Sequence, residues 1–192
     1  LDLVRPKLRN TVFLDRARSM AHVPMFASDD CLDKSGQGLS ADVIAEIDAA
    51  VGTILAELKT QRIDDNTLVI FTSDNGPWLI FGNHGGSAGP FREGKGTTYE
   101  GGMRVPMIAR WPGKITAGGV SHHPASLADI LPTLAGVAAA ELPQEKIDGR
   151  DLSAHLTSPV PAAAPPPAAP CPSYTSDAPG QESSHTSQRR WP

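Results

Sequence analysis

Apolar positions first fall into register between residues 41 and 60, ADVIAEIDAAVGTILAELKT. Val43, Ile44, Ile47, Val51, Ile54, Leu55 and Leu58 recur at three- and four-residue spacing, which puts them on one face of a helix. Ser40 is the expected cap, Asp42 suits the positive end of the helix dipole and Lys59 the negative end. A polar turn, IDDN, leads into LVIFT, residues 68–72, an unbroken apolar run of strand type. A strand apolar on both faces predicts a central place in a mostly parallel sheet, with helices covering it. MIARW, residues 107–111, is a second strand closed by the Pro112-Gly113 turn signal. SLADILPTLAGVA, residues 126–138, then predicts a short helix with Pro132 in its first turn and Gly136 near its end. Helix, strand, long loop, strand and helix is an α/β rhythm. In such sheets the chemistry gathers at the carboxyl ends of strands.

Composition divides this pattern in two. From 158 to 192 the chain reads SPVPAAAPPPAAPCPSYTSDAPGQESSHTSQRRWP and holds half of the 18 prolines with almost no large aliphatic residues. A segment that cannot bury apolar surface does not offset its ordering entropy, so disorder is expected there and folding is expected over 1–157. The net charge of -4 is mild and the basic residues are dispersed, which argues against a nucleic-acid partner. The first residues, LDLVRPKLRN, contain no apolar run, so neither a signal peptide nor a membrane span is expected from them. Cys31 and Cys171 have no CxxC or Cys/His spacing, so neither a disulfide framework nor a zinc site is expected.

Three motifs carry candidate chemistry. FTSDNGP places Asp74 and Asn75 at the end of the first strand, where a carboxylate and an amide carbonyl offer the hard oxygen ligands that Ca²⁺ or Mg²⁺ prefers. Asp-Asn-Gly is equally ordinary turn chemistry. The stretch GPFREGKGTTYEGG, residues 89–102, surrounds Lys95 with glycines. It nearly spells a P-loop, but Gly96 stands where that motif requires Ser or Thr, and no helical face follows. Lys95 remains a candidate anion contact, since glycine lets the backbone approach closely and the ammonium adds three donors, and a solvated surface loop is the alternative. His22, in MAHVPMF, is either structural or catalytic. His84, His122 and His123 lack partners at metal-ligand spacing. Asp29 and Asp30 read as a solvated loop.

The order of these segments is more specific than any one of them. SMAHVPMFAS, GLSADVIAEIDAAVGTIL, NTLVIFTSDNGPW, GKGTTYEGGMRVPMIARWPGKI and ASLADILPTLAG with IDGRDL together resemble the sulfatase family, over about residues 11 to 157. The likeness is to arylsulfatases and N-acetylgalactosamine-6-sulfatase-like enzymes. It implies the alkaline-phosphatase-like α/β fold and hydrolysis of an aryl or sugar sulfate ester with Ca²⁺, Mg²⁺ being possible. It also implies that Asp74 and Asn75 are metal ligands, that Lys95 contacts the sulfate and the leaving-group oxygen, and that His22 holds the sulfate. A periplasmic, secreted or lysosomal site follows from the same resemblance.

The family's nucleophile is a formylglycine made from the Cys or Ser of a C/S-x-P-x-R motif, and no such motif occurs in the chain. The paired aspartates expected early in the family are also missing, and Arg16 and Arg18 stand where an apolar strand would lead to His22. The chain opens on Leu1, and the expectation is a fragment of a sulfatase sequence, inactive alone, with frame disruption after about residue 157. Unpaired strands in such a fragment would promote aggregation. A metal phosphoesterase or phosphonate hydrolase of the same fold, and a non-catalytic sulfate-binding module, are the alternatives.

Overall fold

The computed structural model describes residues 12–158. Apart from Ser158, the Pro/Ala-rich segment expected to be disordered lies outside them, as does Cys171. The first element is α1 (Leu39–Thr60) and the next is β1 (Val69–Thr72). Then come α2 (Glu100–Met103), β2 (Met107–Arg110), α3 (Ile130–Ala138) and α4 (Ser153–Thr157). Short 3-10 turns at Asp64–Asn66, Leu79–His84 and Leu127–Asp129 lie between them. Residues 12–18, which contain Arg16 and Arg18, form no strand.

Helix α1 begins earlier than its apolar pattern suggests. Gly38 is its N-cap, with φ 88 and ψ 172, and no side chain caps the first turn, so Ser40 does not hold the expected role. The positive φ is a glycine conformation, and it turns the incoming loop into the helix. Asp42, in the first turn, is buried and accepts the N–H groups of Asp33 and Ser35, both at 2.9 Å. Hydrogen bonding from Ser35 chiefly holds the Asp42 carboxyl below the ordinary carboxylate range. The loop before α1 is thereby wrapped around a single carboxylate.

The sheet differs from the expectation of a central, mostly parallel one. Among the described residues it has two strands, and they are antiparallel, pairing Val69 with Arg110, Ile70 with Ala109, Phe71 with Ile108 and Thr72 with Met107. A parallel return needs a crossover, usually a helix of useful length, and the connection here contains a short 3-10 turn and the four-residue α2. Nor are both faces covered: Phe71 is 42% and Ile108 61% exposed. An apolar run marks a strand but carries no information on its direction.

At the far end of β2, Arg110 donates to both carboxylate oxygens of Asp64, at 2.7 and 2.8 Å, and the Trp111 indole N–H donates to the Asp65 carbonyl at 3.1 Å. These contacts tie the sheet to the turn that follows α1. Helix α3 is entered through a capping box in which Ala128 N–H donates to Ser126 Oγ and Ser126 N–H donates to Asp129 Oδ2. Pro132 is buried in its first turn, and the helix closes on Ala139 in the left-handed conformation. The segment IDGRDL packs against α3 through Arg150 N–H to Asp129 Oδ1, 2.8 Å, and Leu152 N–H to Thr133 Oγ1, 2.9 Å.

Buried apolar side chains among the described residues include Met25, Val43, Pro132 and Ala135, and of these Val43 is fully buried. The rest of the α1 stripe is half-buried, and Ile44 is exposed. With Ile70 of β1 and Leu131 and Leu134 of α3, this stripe, Leu55 apart, lines a broad open concavity of about 2450 Å³. No described helix is long and apolar enough to cross a membrane.

Candidate active site

The carboxyl end of β1 runs directly into Ser73, Asp74 and Asn75. Thr72 Oγ–H donates to the Pro106 carbonyl at 3.0 Å, closing the sheet where that turn begins, and Ser73 Oγ–H donates to the Asn75 carbonyl at 2.9 Å. The glycine-rich loop folds back on this turn. Gly76 N–H donates to the Gly102 carbonyl at 3.0 Å, and Lys95 N–H to the Pro77 carbonyl at 2.8 Å. A Cβ on Gly76 would collide with the Gly101 carbonyl, and one on Gly94 with the Pro77 carbonyl. These glycines therefore let two backbones lie against one another, which is a different use from cradling an anion directly.

That packing delivers Lys95. Its Nζ lies 3.0 Å from His22 Nε2, a contact between residues 73 apart in sequence. The second ring nitrogen, Nδ1, is 2.7 Å from the Val23 carbonyl, which can only accept. The hydrogen-bond network thus places the ring proton on Nδ1 and leaves Nε2 to accept from the ammonium. Trp78 completes the group: Lys95 Nζ is 4.9 Å from its ring centroid, and the His22 ring is 5.5 Å away at 59°.

Asp74, Asn75, His22 and Lys95 line the same concavity. Asp74 is exposed and Asn75 half-buried, and no described residue hydrogen-bonds the Asp74 carboxylate. Adjacent carboxylate and amide oxygens suit a hard cation. Ca²⁺ takes about six to eight oxygens, however, and the described residues hold no group of three His, Cys, Asp or Glu placed to bind a metal. The donor set fits one edge of such a site and does not complete it.

Asp29 and Asp30 are exposed in the turns before α1, as the solvated-loop reading expects, and Cys31 is a free thiol. His84 also lines the concavity, at the end of the Leu79–His84 turn. His123 and His155 stack at 4.3 Å, and Ser121 Oγ lies 2.7 Å from His155 Nε2. Trp78 was not singled out by any sequence signal. A single aromatic after Asn-Gly-Pro has no periodicity, and only the fold-back of the loop brings it beneath the lysine.

Comparison with known proteins agrees with this arrangement of segments. The sulfatase family profile matches residues 20–140. The chain is 48% identical over 141 residues to human arylsulfatase A and 49% identical over 142 residues to canine N-acetylgalactosamine-6-sulfatase. Each match covers 73% of this chain, and the chain spans little more than a quarter of those relatives, 28% and 27%. Among solved structures, the PsFucS1 sulfatase from Pseudoalteromonas sp. superposes with a TM-score of 0.69 at 37% identity, covering 73% of this chain and 28% of that one. The chain belongs to the sulfatase family.

Proposed function

We propose that this chain supplies the sulfate-gripping part of a sulfuric ester hydrolase acting on aryl or sugar sulfates. The observation that carries this reading is the contact of Lys95 with His22, in the same concavity as Asp74. Cleaving a sulfate ester pushes negative charge onto the departing oxygen. A fixed ammonium counts most where that charge develops, and Lys95 has two N–H groups left after meeting His22. Once an ester oxygen draws the ammonium away, the Nε2 lone pair of His22 is free to take a proton from solvent and to pass it to the leaving-group oxygen. The Nδ1–H bond to Val23 keeps the ring aimed while that happens.

Asp74 and Asn75 would hold one side of a divalent cation, which polarises the sulfate oxygens when bound. The chain contains no C/S-x-P-x-R motif, so no residue of it is assigned as nucleophile. The names of the relatives, an arylsulfatase and an N-acetylgalactosamine-6-sulfatase, support an aryl or sugar leaving group.

Joining the chain to an upstream sulfatase segment that carries C/S-x-P-x-R tests the reading. The expected product hydrolyses a chromogenic aryl sulfate in preference to the matching aryl phosphate. Lys95→Ala in that protein lowers kcat by about 100-fold or more. Preference for the phosphate would favour a metal phosphoesterase instead.

A further inference from the structure

Trp78 has no role in the chemistry above, yet it touches both polar groups that meet the ester. The Lys95 ammonium sits over its indole face, 4.9 Å from the centroid. The His22 ring stands 5.5 Å away, and Phe81 meets the indole edge-on at 4.8 Å and 69°. The backbone of the preceding residue adds another restraint, because Lys95 N–H donates to the Pro77 carbonyl. A lysine head on a flexible four-carbon stem gives up rotamer freedom to occupy one place. The negative face of an indole attracts a cation and offsets part of that loss, and the edge-on Phe81 braces the indole.

We infer that Trp78 is a positioning residue whose indole face holds the Lys95 ammonium at His22 Nε2, setting the sulfate grip before substrate arrives. The inference rests on the proposed roles of Lys95 and His22. It can be judged apart from them, because the contact of lysine with histidine is observable with no sulfate present.

NMR of the 192-residue chain provides the test. In the native chain the Lys95 ε-methylene protons resonate upfield, shifted by the indole ring current. Trp78→Leu abolishes that shift, and it also abolishes the His22 Nε2 signature of accepting from an ammonium, as Lys95→Ala does. Trp78→Phe retains the signature. Titration with inorganic sulfate, followed on the His22 signals, shows binding weakened about 3- to 10-fold in Trp78→Leu and less than about 2-fold in Trp78→Phe. Unshifted Lys95 protons in the native chain, or an unaltered His22 nitrogen in Trp78→Leu, overturns the inference. The native-chain shift needs no variant, so poor folding of Trp78→Leu leaves the question decidable. Sulfate binding by Lys95→Ala equal to native would sink the sulfate reading, while the two sulfate-free signals still judge Trp78.

Discussion

A lysine on a glycine-flanked loop ordinarily surrenders its ammonium to water, and in this chain three contacts act against that. The Lys95 backbone N–H is bonded to the Pro77 carbonyl, its Nζ lies over the Trp78 ring, and the same Nζ meets His22. Each depends on the loop lying flush against the Asp-Asn-Gly turn, where a Cβ on Gly76 would run into the Gly101 carbonyl. Gly76→Ala forces the Gly101 carbonyl away and is expected to cost about 2–3 kcal/mol, read as a lowered denaturant midpoint. A native midpoint would show that the loop yields easily. The candidate residues could be named from sequence because segment order resembled a family. The purpose of the glycines could not, because residue type does not distinguish a loop wrapped on an anion from one wrapped on another backbone.

At the scale of elements, α1 and the two-stranded sheet are joined by the bidentate pair of Arg110 with Asp64. Hydrogen bonding and charge from Arg110 hold the Asp64 carboxyl below its ordinary range. A group with a depressed folded pKa contributes stability in full above the unfolded value, about 3.9 for aspartate, and loses it as pH falls through the folded one. Asp64→Asn is therefore expected to lower the thermal midpoint at pH 6 and to flatten its fall between about pH 4 and 2. An unchanged acid limb would remove Asp64 from the account. Val43, 1% exposed, is the best-buried apolar side chain of α1, and Val43→Ala should cost about 2 kcal/mol in chemical denaturation. Much less would mean that the helix is not anchored there. The three- and four-residue spacing gave this helix away, but its start at Gly38 did not show, since the turn there comes from backbone conformation with no capping side chain. Strand direction was equally hidden, because an apolar run has the same composition in either pairing.

For the whole molecule, one fact organises the rest: the apolar stripe of α1 and the polar cluster at the end of β1 open into one concavity. The order of the family-like segments over about residues 11 to 157 made the sulfatase family readable but not the antiparallel pairing of β1 with β2. The extent of exposure, as at Ile44 and Leu131, depends on packing that no local pattern records. The central claim is that Lys95 and His22 act together on a sulfate group. Calorimetric titration of the 192-residue chain with an aryl sulfate tests it most directly, with Lys95→Ala and His22→Ala run beside the native protein. The account predicts saturable native binding that weakens about tenfold in either variant, in line with one lost charge-assisted contact. Equal affinity in all three proteins would contradict it.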